Sequence, residues 1–175
     1  MNKEVKAYLK SKEKFRVFKY YKKGKNATAD FFEWNNLFFI FRYLIFLFTR
    51  TFVPAPLNNW VYRLFGVKIG KNVLIGVEVV IDPFYPKLIT IGNDCVLGWG
   101  TKLLAHEGYL RHYKIGRVNI GNNVLIGAFS IIRAGIDIGN NTIIAMAAVV
   151  DKDIAHNEVV GGVPEHEIKK LTELM

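Results

Sequence analysis

The sequence predicts a mainly β protein. A parallel β-helix of about four to five coils occupies residues 66–160, after an α-helical extension over 1–65 and before a tail with a short C-terminal helix over 161–175. Three observations predict it. Ile69-Gly70-Lys71-Asn72, Ile91-Gly92-Asn93-Asp94, Ile120-Gly121-Asn122-Asn123 and Ile138-Gly139-Asn140-Asn141 are four copies of one unit. Aliphatic residues recur every six positions: Ile69, Ile75, Ile81; Ile91, Leu97, Leu103; and Ile120, Ile126, Ile132, Ile138, Ile144, Val150. The copies start 22, 29 and 18 residues apart.

A period of six fits neither a helix nor a long strand. It fits a short strand followed by a turn, and Gly and Asn supply turns because they tolerate positive φ. The aliphatic residue points inward and meets its copy in the next coil, so the core is continuous along the stack. The spacing of 18 makes a coil of three hexads with three sides. The spacings of 22 and 29 are one coil carrying four and eleven extra residues. Both insertions fall on the third side, because the first two hexads of each coil are intact. Neighbouring coils stack about 4.8 Å apart. The loop around Asp82–Lys87 is therefore expected beside the loop around Leu104–Asn119, and two protrusions on one edge of a regular prism suggest a site.

A chain of 175 residues and 20.0 kDa, 51% hydrophobic and 22% charged, can bury one sizeable core and is not wholly disordered. Its single cysteine, Cys95, excludes an intramolecular disulfide framework and a Cys-rich zinc module, and its place inside a hexad predicts a core residue. Residues 1–25 hold ten Lys/Arg against two acids, whereas the remaining body is nearly neutral. This basic arm reads as a Lys-rich helix or a partly ordered segment ending near Gly24.

From Phe31 to Phe48 the chain is almost wholly aromatic or aliphatic, and Pro54 and Pro56 close the run. Asn35, Asn36, Arg42, Thr49 and Arg50 fall on one helical face. Three placements compete for residues 31–53: a helix in the interface of an anionic membrane, a helix packed on the folded body or in an oligomer interface, and a spanning helix that would bury Arg42 in lipid. The basic stretch is too long, and a small-residue cleavage site too plainly missing, for a secretory signal. Nucleic acid is not expected as a partner, because no recognition motif accompanies the basic residues.

On these repeats, from about Gly66 to Lys170, the chain resembles the hexapeptide-repeat acyltransferases, and the sugar O-acetyltransferases among them. The resemblance implies a left-handed β-helix, a homotrimer with sites between subunits, and acetyl-CoA as co-substrate with no permanently bound cofactor and no metal.

It also implies roles for residues. His106, at the start of the longer insertion, stands where the family places the general base. The chemistry needs one, since a sugar hydroxyl must lose a proton as it attacks a thioester, and imidazole accepts protons near neutral pH. His112 is the rival. Asp82 matches an aspartate that contacts the acceptor sugar, and a carboxylate suits vicinal hydroxyls. Tyr85 and Trp99 are candidate acceptor-stacking rings. Gly127 and Ala128 occupy the position where a backbone N–H meets the thioester oxygen, needing only small side chains there. Met146 and Ala147 lie in the run along the pantetheine arm, where Met146 departs from the family's small residues. Lys152 and Lys169 are candidates for the CoA phosphates. Gly162-Val163-Pro164 matches the family's exit from the β-helix, but Glu165-His166 replaces the usual Ala-Lys.

The reading is an acetyl-CoA-dependent O-acetyltransferase acting on a sugar, a glycolipid or a surface-polysaccharide precursor, in the cytoplasm and peripheral on the inner face of the plasma membrane. An N-acetyltransferase of an amino sugar and a non-catalytic membrane-docked scaffold remain alternatives. A zinc carbonic anhydrase on the same fold is disfavoured, because His106 and His112 sit on one insertion.

Overall fold

The structure, a computed structural model, describes residues 3–19, 37–55, 57–109, 112–164 and 166–170. Three parallel sheets form the sides of a prism. The first stacks Lys68–Ile69, Ile89–Ile91, Val118–Ile120 and Asp137–Ile138. The second stacks Leu74–Ile75, Val96–Leu97, Val124–Ile126, Thr142–Ile144 and Glu158–Gly161. The third stacks Val80–Ile81, Lys102–Leu103, Ile131–Ile132 and Val149–Val150. Registers follow the six-residue period: Ile69, Ile91, Ile120 and Ile138 are partners down one side, and Ile81, Leu103, Ile132 and Val150 down another. All of these are buried except the half-buried Ile69. Burying one such side chain contributes about 1.5–3 kcal/mol, so stability lies in the stack and no rung holds alone.

The turns show why Asn recurs. Asn72, Asp94, Asn123, Asn141 and Asn157 all take positive φ, between 52° and 62°. Their side chains then form a ladder between coils. Asn123 Nδ2 donates to Asn141 Oδ1 at 3.0 Å, and Asn141 Nδ2 donates to Asn157 Oδ1 at 3.0 Å. The glycine before each turn answers to space: a Cβ on Gly92 would lie 2.4 Å from the Gly121 carbonyl oxygen.

Both ends of the prism are covered. At the first coil, helix α3 (Leu57–Leu64; α1 and α2 are given below) satisfies edge carbonyls with side chains. Asn58 Nδ2 donates to Ile75 O, Asn59 Nδ2 to Val73 O, and the Arg63 guanidinium to Ile69 O and Gly70 O. An uncovered edge would invite pairing with another chain. At the far end, the expected C-terminal helix is replaced by a strand, His166–Lys170, antiparallel to Glu158–Gly161. Gly162, at φ 101°, helps reverse the chain, and the tail then satisfies the backbone of the last rung. Residues 171–175 and Glu165 lie outside the described residues.

The N-terminal arm also departs from expectation. Helix α1 (Lys3–Lys10) leads into a strand, Phe15–Lys19, that pairs antiparallel with His112–Gly116 of the longer insertion. The arm is docked: Tyr8 is fully buried, Lys14 bridges Asp137 and Asp153, and Arg117 donates to Ser11 O and Glu13 O. Residues 20–36, including the expected break at Gly24 and the polar positions Asn35 and Asn36, lie outside the described residues.

Helix α2 (Leu37–Phe52) packs on the first coil and on α3. Phe39, Phe46 and Thr49 are buried, with Arg42 and Arg50 half-buried beside them. Arg50 pairs with Glu78 at 3.4 Å, and Phe46 meets Tyr62 edge-on at 5.0 Å. The described part of the polar stripe, Arg42, Thr49 and Arg50, therefore faces the body. Among the described residues no helix is long and apolar enough to cross a membrane.

Candidate active site

Both insertions leave the third side after Ile81 and Leu103 and rejoin the first side at Ile89 and Val118. The shorter one contains a 3-10 turn at Pro86–Leu88, and the longer one is a hairpin of His106–Gly108 and His112–Gly116. They touch as the spacing predicts. Asp82 binds across the gap, accepting from Ala105 N at 2.8 Å and sitting 2.5 Å from His106 Nδ1.

Asp82 is the centre of this arrangement. Its side chain is 0% exposed. One oxygen accepts from Phe84 N and Tyr85 N, which closes the turn of its own loop, and the other receives Ala105 N and the imidazole. A carboxylate is acceptor-only, so Nδ1 of His106 must carry the proton in that contact, and Nε2 becomes the basic nitrogen. This corrects the expected role of Asp82. Buried, with both oxygens engaged, it orients the histidine and is not presented to an acceptor.

Tyr85 changes role for the same reason. It is 8% exposed and packs with Phe84 and Tyr113 around the imidazole, at centroid distances of 5.9, 4.9 and 5.7 Å respectively. Burial pushes the Tyr85 phenol up to about 12 and the Tyr113 phenol higher still, so both stay protonated around neutral pH. Tyr113 was not singled out from sequence; the alternation of exposed His112, buried Tyr113 and buried Ile115 marks its inward face. Arg42 was singled out only as a helix charge. Its Nη2 donates to Phe84 O at 3.3 Å and its guanidinium lies 5.5 Å from the Phe39 ring centroid. Phe39 in turn stacks on Phe84 at 4.5 Å, so α2 buttresses the aspartate loop.

From sequence Glu107 reads as an exposed loop carboxylate and Arg133 as part of a plain turn, but the Glu107 side chain is mostly buried and the two are paired. Arg133 Nη2 donates to Glu107 Oε2 at 2.6 Å, and Ala134 N donates to Glu107 Oε1 at 3.0 Å. This ties the hairpin bearing His106 to the third coil. Burial would raise the Glu107 carboxyl, but Arg133, Tyr109 and Lys114 prevail and hold it below the ordinary glutamate value. A depressed carboxyl stabilises the fold above its unfolded pKa, and the contribution disappears as pH falls through the lower folded value. Glu107→Gln should therefore cost about 1–3 kcal/mol near neutral pH and progressively less as the pH drops below about 4. Thermal melts of both proteins across pH 3–8 check this; a pH-independent difference contradicts it.

Gly127, Ala128, Met146, Ala147 and Trp99 lie on another edge. Gly127 and Ala128 stack under Met146 and Ala147 at the corner between the second and third sides, with Ala147 N donating to Ala128 O at 2.8 Å. A Cβ on Gly127 would lie 2.4 Å from Met146 N, which accounts for the glycine. Met146 is 70% exposed. Trp99 occupies the same corner and tilts against Phe129 at 6.0 Å; it is not among the rings packed around His106. Lys152 is exposed on the turn after the third side, His112 is exposed on the outer hairpin, and the Lys169 side chain lies outside what is described. Cys95 is fully buried, and burial pushes its thiol up, as a core residue requires.

Known proteins match this architecture. The family model "Bacterial transferase hexapeptide (six repeats)" matches residues 117–152, and "Hexapeptide repeat of succinyl-transferase" matches 66–105. The chain is 37% identical to YvoF of Bacillus subtilis (strain 168), named as a candidate acetyltransferase, over 62% of this chain and 63% of that protein. It is 39% identical to a similarly named protein of Staphylococcus aureus (strain MSSA476), over 71% of this chain and 79% of that one. Among solved structures, a hexapeptide-repeat-containing acetyltransferase of Vibrio cholerae, complexed with acetyl coenzyme A, superposes with a TM-score of 0.64. That match has 21% identity and covers 74% of this chain and 85% of that one. The fold shared with such structures is the left-handed parallel β-helix.

Proposed function

Because this chain belongs to the hexapeptide-repeat acyltransferases, we propose that it moves the acetyl group of acetyl-CoA onto a hydroxyl of a sugar or a sugar-containing surface-polysaccharide precursor, with His106 as general base. The observation that carries this reading is the contact of His106 Nδ1 with the buried Asp82 carboxylate at 2.5 Å. With the proton on Nδ1, Nε2 is the nitrogen whose lone pair would take the hydroxyl proton as the oxygen attacks the thioester carbonyl. The Ala128 N–H stabilises the oxyanion. When the intermediate collapses, the C–S bond breaks and the imidazolium returns its proton to the leaving CoA sulfur. No acyl-enzyme intervenes. The Asp82 carboxylate favours the imidazolium that forms midway. A decayed, non-catalytic scaffold would have no need of this buried pair.

The two half-sites lie across the third side of the prism. Six residues at about 3.3 Å each make that side about 15–20 Å wide, whereas reacting atoms must approach to about 3 Å. A thioester held at the Ala128 corner therefore reaches the His106 of a neighbouring copy, which supports a homotrimer with sites shared between subunits. Gly127, Met146 and Ala147 would line the pantetheine arm, and Lys152 or Lys169 would meet the CoA phosphates. The need for acetyl-CoA as donor supports a cytoplasmic reaction. An amino sugar would use the same base for N-transfer.

Thiol release from acetyl-CoA against a panel of sugars and amino sugars tests the proposal. Release dependent on a sugar hydroxyl is expected. Release with amines alone moves the assignment to N-transfer, and acetyl-CoA binding without any transfer removes it.

A further inference from the structure

The outer surface of α2 lacks what a solvent-facing helix requires. Leu37, Phe41, Leu44, Phe48 and Phe52 follow one another at spacings of four, three, four and four residues, so they form one face. They are 83%, 58%, 55%, 59% and 70% exposed. The two arginines of the helix are turned inward, onto Phe84 O and Glu78. Trp60 of α3, the helix packed against α2, is 58% exposed as well. A contiguous apolar face of this kind marks a contact surface.

Charge selects the occupant. No Asp or Glu occurs between residues 34 and 77, whereas Arg42, Arg50, Arg63, Lys68 and Lys71 do. Arg63, Lys68 and Lys71 are exposed on α3 and the first coil, and Lys87 joins them next to Gly66. This end of the prism thus presents an apolar helix face together with exposed cations on α3 and the first coil. Two copies meeting through it would bring like charges together, which is costly at an interface. Anionic headgroups would neutralise those cations while acyl chains accept the rings. The opposite face of α2 is packed on α3 and the first coil, so the helix can present its apolar face to a membrane only by lying along the surface.

We propose that the α2–α3 end of the prism docks the protein on an anionic membrane surface, with α2 lying flat and its Leu37–Phe52 face in the acyl boundary. The test is flotation of the full chain with phosphatidylglycerol–phosphatidylcholine vesicles and with phosphatidylcholine vesicles, for wild type, Phe41→Ser/Phe48→Ser and Lys68→Glu/Lys71→Glu. Wild type should float with the anionic vesicles and much less with the neutral ones. Both variants should bind tenfold or more weakly, with far-UV circular dichroism and melting midpoint unchanged. Light-scattering mass is measured alongside. Wild type that fails to float, or variants that float as wild type does, overturn the proposal. So does a fall in oligomer mass in the Phe variant without vesicle binding by wild type, because a second copy then covers the face.

Discussion

His106→Ala should lower the rate of acetyl transfer by about 10²–10⁴-fold, the usual contribution of a positioned general base, while acetyl-CoA still binds. The separation follows from geometry. His106 sits on the insertion hairpin and the acyl-donor candidates sit on the corner of Gly127 and Ala128, with the third side between them. The variant should also fold normally. The imidazole is 18% exposed, and the hairpin stays fixed through Glu107 and through its pairing with Phe15–Lys19. Single-turnover thiol release, together with acetyl-CoA titration by calorimetry, measures both quantities. A variant with a rate within about threefold of wild type would move the base elsewhere, and exposed His112 would be the next residue to replace.

The ease with which the repeat can be read has a physical origin. Every inward position of the prism must be aliphatic and every tight turn must accept positive φ, so Ile and Asn appear at fixed intervals and the register follows from counting. The insertions are legible as interruptions of that count, which places the loop of Asp82 beside the loop of His106. Counting does not say where a side chain points. Asp82 turns inward because four N–H groups converge on it, and three of those belong to backbone whose course depends on the loops themselves. The strand at Phe15–Lys19 was hidden for a different reason. Five residues inside a Lys-rich stretch carry little alternation, and their partner lies about a hundred positions away. For α2 the pattern revealed two unlike faces, but it could not tell which one meets the body. That choice rests on Phe84 O and Glu78, acceptors from loops that only the fold brings alongside.

Asp82→Asn should be nearly as damaging as removal of the imidazole, for a reason that can be worked out atom by atom. The carboxylate receives N–H donors on both oxygens: Phe84 and Tyr85 on Oδ1, Ala105 and the imidazole on Oδ2. An amide supplies one acceptor oxygen and one NH2 group. If the NH2 faces Phe84 and Tyr85, donor meets donor and the turn bearing the aspartate opens. If it faces His106, it opposes the Ala105 N–H and forces the imidazole to place its proton on Nε2, which removes the base. Either way a buried polar contact is lost, at about 1–3 kcal/mol of stability, and transfer should fall by about 10²–10⁴-fold. A purely structural role for Asp82 would give the stability loss alone. Addition of Asp82→Asn to His106→Ala separates the two accounts. If the aspartate works through the histidine, the double variant transfers acetyl groups about as slowly as His106→Ala does, because residues acting as a unit are not additive. If the two losses multiply, Asp82 supports catalysis by a route that bypasses the imidazole, and the dyad is the wrong description of this site.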